Sequence, residues 1–315
     1  MNSSPSSVNR RSCALPLAYA FIYFAWGATY LGVKLAIVDI PVFLMSGARF
    51  FLAGILLLAA IALFDRRGFR RGALREWKDA GIIGFLLLAF GIGAGNWTQQ
   101  YLASSFVAMV FSALPLWIIL IDWLRPGGRA PSRTVALGLL MGFIGIGVIL
   151  VPAGHDSAGA ANLGLNLLLV LASISWAGGA ILSKHVPVAR GSVLLPVARQ
   201  MIIGGALLLL TGLFHGDLAH LHLAQVHLTA WLGFIYLVVV GSLGGYSIYI
   251  WLMRVAPPAK AATIPYVNLL VAVFLGWFLG HETITLRLLI GTAIVVTSVA
   301  LVLREKPEEA MPTSD

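Results

Sequence analysis

Charge is what this chain has least of. Only 10% of its 315 residues are Asp, Glu, Lys or Arg, against 59% that are hydrophobic. A soluble chain of this length covers its surface with polar groups, and about 25% of its residues are charged. This composition excludes that class. Cysteine occurs once, at Cys13, so no disulfide can form within the chain, and the redox compartment stays open. No polar stretch is long enough to fold as a water-soluble domain. There is no phosphate-cradling glycine loop and no nucleophile elbow, and His281-Glu282 lacks a second histidine at zincin spacing. Catalytic residues, a metal site and a cofactor are therefore not expected. The histidines between His215 and His227 are irregularly spaced, and that loop reads as a short amphipathic interfacial helix.

What is present is a series of apolar runs near 15–36, 42–64, 80–101, 104–124, 134–152, 164–184, 192–214, 229–253, 258–279 and 286–303. Each has roughly the 20 residues that cross a hydrocarbon core as a helix. Basic residues fall on alternate connections. One side carries Arg10 and Arg11, Arg66 to Lys78, Arg125 to Arg133, Lys184 and Arg190, Arg254 and Lys260, and Arg304 and Lys306. The opposite loops hold none, with Lys34 and Arg287 only at their margins. The net charge of +9 thus reads as membrane orientation rather than nucleic-acid binding, with both termini cytoplasmic in a plasma membrane. A missed or false span would break the alternation. The basic, then apolar, N-terminus reads as a retained first helix rather than a cleaved leader.

The chain also repeats itself at an offset of 150 residues. Trp26 matches Trp176, Lys34 matches Lys184, Ala48-Arg49 matches Ala198-Arg199, and Pro115 matches Pro265. Each copy contains five crossings, so the second must run upside down relative to the first. The expected fold is an all-α integral membrane protein with ten transmembrane helices arranged as two inverted five-helix repeats, an architecture of secondary transporters. The expected units are a tail at 1–13, the repeats at 14–152 and 153–303, and a disordered tail at 304–315. Residues Met1–Asn9 are also expected to be disordered.

Ionisable groups at membrane depth are costly and usually functional. Helical spacing puts Trp26, Tyr30 and Lys34 on one face of the first span. Arg49 lies about two turns into the second span, with Arg199 as its inverted counterpart. These cations either line a cavity or snorkel to the headgroups. No carboxylate lies in the middle of any run: Asp39, Asp156, Asp217 and Glu282 fall in outer connections, and Asp65, Glu76, Asp79 and Asp122 at inner ends. Asn96, Gln99, Trp176, Tyr246, Tyr249, Tyr266 and Asn268 supply polar and aromatic groups for a cavity, or hydrogen bonds between helices. Pro115 and Pro265 each remove a backbone hydrogen bond, from the carbonyls of Phe111 and Ala261, and mark hinge or kink positions. Spacings such as Gly138-x-x-x-Gly142, and the pair Gly276 and Gly280, read as close helix packing, which would also serve a homodimer.

These residues carry a recognisable pattern. Trp26-Gly-Ala-Thr-Tyr30, Ala48-Arg49-Phe50 and Ala113-Leu-Pro-Leu-Trp117 resemble one EamA unit. Ser173-Ile-Ser-Trp-Ala177, Ala198-Arg199, Pro265 to Gly276 and Glu282-Thr-Ile-Thr285 resemble a second. The chain resembles a bacterial ten-span EamA-type member of the drug/metabolite transporter superfamily over about residues 14–303. The resemblance implies an inner-membrane carrier, often an exporter of amino acids or related metabolites, with a central cavity between the two units. The unit's first-span lysine and the glutamate before its last span are present as Lys34 and Glu282. Trp176 is followed by Ala-Gly-Gly rather than Gly-x-Thr-Tyr, which sets the second unit apart. A flippase or exchanger for a phosphorylated or lipid-linked substrate, bound by Arg49, Arg199 and Lys34, is the alternative within transport; a membrane enzyme or scaffold is the alternative outside it. Without a membrane-depth carboxylate, a neutral, zwitterionic or anionic solute is expected. Reconstituted vesicles should therefore show no proton-coupled efflux of a quaternary ammonium dye.

Overall fold

A computed structural model describes residues 5–65, 74–127, 130–150, 163–185, 192–255 and 264–304. Among these residues every regular element is a helix. Seven helices are long and apolar enough to cross a membrane: Ala14–Ala36, Val42–Phe64, Leu74–Thr98, Ser104–Leu124, Leu163–Lys184, Leu194–His215 and Leu228–Tyr249. Three shorter apolar helices, Arg133–Val148, Ile264–Phe278 and Leu286–Val302, complete the series. In chain order they are spans 1 to 10, in the places that the apolar runs predict. The ends of the bundle keep the labels outer and inner that the charge distribution suggests. Arg66, Arg67, Arg70, Arg71, Arg129, Arg190, Lys260, Lys306 and the tail beyond Arg304 lie outside the described residues. Helix begins at Pro5 rather than at the first apolar run. Proline suits a first helical position, and extending an existing helix costs little.

Spans 2 and 7, which match in the repeat, form the most extensive pairing. They touch backbone to backbone. A Cβ on Gly47 would lie 2.6 Å from the amide nitrogen of Leu209, and one on Gly205 would overlap the backbone of Phe51. Packing at that distance leaves no room for a side chain and brings many atoms into dispersion contact. Phe50, Ala53, Leu57, Leu195, Ala198, Met201 and Leu208 form the core around this crossing. Span 5 lies against span 10, with Gly138 facing Ser298 and Val302 and Gly142 facing Leu116 and Ser298. That glycine face is thus occupied within the chain.

Four spans depart from plain α-helix. Span 1 breaks at Ala28 and resumes at Thr29, whose hydroxyl donates to the Trp26 carbonyl at 2.5 Å. Span 4 breaks at Ala113, two residues before Pro115, which has no N–H to give the Phe111 carbonyl. Ala113 N instead donates to Val110 O at 3.2 Å. Pro265 is the second residue of span 9, and Ala261 lies outside the described residues. Spans 3 and 8 carry π-helical segments at Phe85–Ile92 and Leu237–Gly244, which overlap in the repeat register. Such wider turns are rare and concentrate at functional sites.

The two halves of span 4 have different main neighbours. Its outer half, Ser104–Ser112, packs mainly on span 9 and less on the outer piece of span 1 and on span 6. Its inner half, Leu114–Leu124, packs chiefly on span 6. Both pieces of span 1 also pack on spans 8 and 9.

The 2–7 crossing gives a direct test. Gly205→Val should destabilise the purified protein by about 1–3 kcal/mol or prevent its folding. Gly164→Val, where a Cβ meets nothing within 4 Å among the described residues, should leave the melting temperature (Tm) unchanged.

Candidate functional site

The break in span 1 sends its three polar residues to three different neighbours. Trp26 reaches span 8: its indole N–H donates to Gly241 O at 3.0 Å, and its ring lies 5.4 Å from Tyr246 and 4.9 Å from Tyr249. The missing side chains of Gly241 and Gly245 admit this approach, since a Cβ on either would collide with Thr29 or Trp26. Tyr30 packs among Phe106 of span 4 and the apolar clusters of spans 4, 6 and 9. Lys34 turns to the connection between spans 9 and 10. The shared face expected from helical spacing is therefore divided, because Ala28 interrupts the period.

Lys34 Nζ donates to Glu282 Oε1 at 3.0 Å and to Gly280 O at 2.8 Å. Glu282 also accepts from Ser104 N at 2.9 Å, Ser104 Oγ at 2.7 Å and Ser105 N at 3.1 Å. Its carboxylate thereby caps the positive N-terminus of the outer half of span 4 while neutralising a cation from span 1. The turn that delivers it is specific. His281 adopts a left-handed φ of 52°, and Glu282 N closes back on Gly276 O at 2.9 Å across a wide turn that ends span 9. A Cβ on Gly276 would lie 2.6 Å from Glu282 Oε2, so Gly276 makes room for the carboxylate. The Gly276 and Gly280 spacing serves this turn rather than a helix crossing. Burial alone would raise the Glu282 pKa. Hydrogen bonds from Ser105, Ser104 and Lys34 outweigh it and hold the carboxyl at about 2, below its ordinary 4.5.

Arg49 and Arg199, repeat partners, meet different surroundings. Arg199 is 1% exposed and donates to Glu76 Oε2 at 2.6 Å, with its guanidinium 5.2 Å from the Trp77 ring centre. Arg49 is 3% exposed and donates from Nε to Ser242 Oγ at 2.8 Å, 4.7 Å from the Phe50 ring centre. Tyr236 and Tyr246 are its electrostatic neighbours, and the Cβ position of Gly241 lies 3.3 Å from its Nη2. Among the described residues no carboxylate comes within 4.0 Å of it. Trp26, Arg49, Ser242, Tyr246 and Tyr249 thus form one cluster: a buried cation beside aromatic faces and a hydroxyl. It can bind and orient an anion. It contains no paired acid and base.

The family model for EamA-like transporters matches residues 15–151 and again 164–304. The chain belongs to the EamA-like transporter family. The uncharacterized inner membrane transporter YedA of Escherichia coli K12 is 32% identical over 291 residues, covering 91% of this chain and 90% of that one. The uncharacterized transporter YvbV of Bacillus subtilis is 28% identical, again across 91% and 90%. A crystal structure sharing 18% identity aligns with a TM-score of 0.61 over 92% of this chain and 97% of its own; that likeness concerns the fold.

In this EamA chain the other sequence candidates disperse. Asn96 donates to Ser46 at 2.9 Å and ties span 3 to span 2. Trp176 packs where spans 3, 4 and 6 meet, against Gly91, the repeat partner of Gly241. The buried Gln99 Oε1, Tyr266 OH and Asn268 Oδ1 have no hydrogen-bond partner among the described residues. Ser242 and the pairing of Glu76 with Arg199 were not anticipated, and Gly241 and Gly276 were expected only to pack helices. The usable signal was the matched glycines of spans 3 and 8, at Gly91 and Gly241 and at Gly95 and Gly245. The histidine loop forms a single turn at Asp217–His220 and a tighter one at Leu223–Gln225 rather than one amphipathic helix. His215 is tied to Asp217 and His227 to Asp39, which fixes its two ends separately. A groove of about 430 Å³ between spans 2, 3, 6 and 7 is lined by Phe43, Phe85, Phe90, Trp97 and Leu207 and lies apart from the charged cluster.

Glu282→Gln should cost about 2 kcal/mol by weakening charge-assisted bonds. Because the folded pKa is depressed, that contribution is complete above pH 4.5 and is lost as the pH falls through 2. The Tm gap between wild type and variant, followed across acid pH, should close in that window.

Proposed function

We propose that this protein is a secondary carrier of the inner membrane that moves a small neutral, zwitterionic or anionic metabolite, amino acid-like in size, by alternating access. The observation that carries the reading is the divided packing of span 4. Its outer half is pinned to spans 1 and 9 through Glu282 and Lys34, while its inner half leaves with span 6. In the carrier reading the pinned outer half serves as a closed outer gate, and the break at Ala113 is where the inner half swings. Two inverted halves supply the means to exchange this state for its mirror. The name of YedA supports the inner membrane, and the family resemblance supports export. Both termini then face the cytoplasm. The carrier contacts lipid around its circumference, and the glycine face of span 5 is not needed for a dimer.

Purified protein reconstituted into liposomes tests this. A labelled pool of amino acids and small organic acids should show saturable, protein-dependent movement. Inserted, folded protein that moves none of the pool overturns the carrier reading and favours an enzyme or scaffold.

A further inference from the structure

The repeat exposes an imbalance at Arg49. Its counterpart Arg199 is neutralised by Glu76 at 2.6 Å. At the same offset of 150, the position matching Glu76 is Val226. The residue matching Trp77 is His227, which is committed to Asp39 at 2.9 Å. The second copy therefore lacks the acid that the first supplies. The reverse holds for the lysines. Lys34 has Glu282, whereas the position matching Glu282 is Ser132, a residue on the inner side where Lys184 is exposed. Of these four cations only Arg49 is both buried and without an acid among the described residues.

The rest of its surroundings is built. Nε is fixed by Ser242, itself fully buried, so the guanidinium plane is oriented. Neither Nη nitrogen has a hydrogen-bond partner among the described residues, yet neither is sealed from space as the Tyr266 hydroxyl is. The hydroxyls of Tyr246 and Tyr249 are likewise without a hydrogen bond among those residues, and both rings lie on Trp26. A guanidinium presenting two parallel donors matches a carboxylate. One positive charge also limits the guest to one negative charge, since a dianion would leave an uncompensated charge at low dielectric.

Resting on the carrier reading above, we propose that Arg49 is the receptor for a substrate carboxylate, held by both Nη nitrogens, with the apolar part of the substrate against Trp26, Tyr246 and Tyr249. The substrate class is a small monocarboxylate. An amino acid fits, with its ammonium on the aromatic faces.

Thermal shift of the purified full-length protein tests this with matched probes: L-phenylalanine and its amide, phenylacetate and phenylacetamide, and phenyl phosphate. At least one carboxylate should raise the wild-type Tm while its amide does not. Arg49→Gln should weaken that binding by roughly tenfold to a hundredfold, and Arg49→Lys by less. A second arm needs no ligand. Arg49→Met removes a buried charge without orphaning an acid, so the unliganded variant should melt at or above wild type, whereas Arg199→Met should melt lower. Amides or phenyl phosphate binding as well as the carboxylates, Arg49→Gln keeping wild-type affinity, no shift with either acid, or Arg49→Met melting as low as Arg199→Met would each overturn the assignment. In those cases liposome flux of a neutral solute still upholds the carrier, and absence of all flux removes both readings.

Discussion

A cation held inside a hydrocarbon slab costs several kcal/mol unless an anion or an array of dipoles meets it. Lys34, Arg199 and Arg49 reach into this bundle, and much of the structure is arranged around how each is met. Lys34 meets Glu282, which also collects three donors from the start of the outer half of span 4. Arg199 meets Glu76 at the inner end of span 3. Arg49 meets a serine and aromatic rings. Two of these arrangements tie spans together. The third holds a charge in place and leaves it unbalanced, which is costly for a structural element and useful for a binding one.

The helices can bring these groups together because their backbones approach closely. Gly47 and Gly205 let spans 2 and 7 touch, and those two spans carry Arg49 and Arg199. Gly241 and Gly245 admit Trp26, and Ser242, inside the π-helical segment that ends at Gly244, meets Arg49. In a bilayer, where apolar side chains gain nothing by leaving lipid for protein, such small-residue contacts and interhelical hydrogen bonds supply much of the cohesion. The same contacts limit mobility. Span 4 is joined to different partners above and below Ala113, so a change of access has a natural place to bend.

Much of the fold was legible in the sequence, and less of the site. Apolar runs near 42–64 and 104–124 predicted Val42–Phe64 and Ser104–Leu124, because the length of a crossing is a local property. The Trp26, Tyr30 and Lys34 face was not legible. A period of 3.6 assumes an unbroken helix, and Thr29 satisfies the Trp26 carbonyl with its side chain at the break. Gly276 read as a packing glycine because the carboxylate it accommodates arrives through a left-handed turn at His281.

The sequence by itself determined that the chain crosses the membrane ten times and that its halves are inverted. Both follow from the count of apolar runs and the parity of five, each set by residues near one another in the chain. Only the tertiary structure decided which buried cation keeps a counter-charge. The Lys34–Glu282 and Arg49–Ser242 contacts join residues 248 and 193 positions apart. Which spans cross, and at what depth, selects those partners. Two arginines in equivalent places of a repeat can therefore end with opposite electrostatic fates.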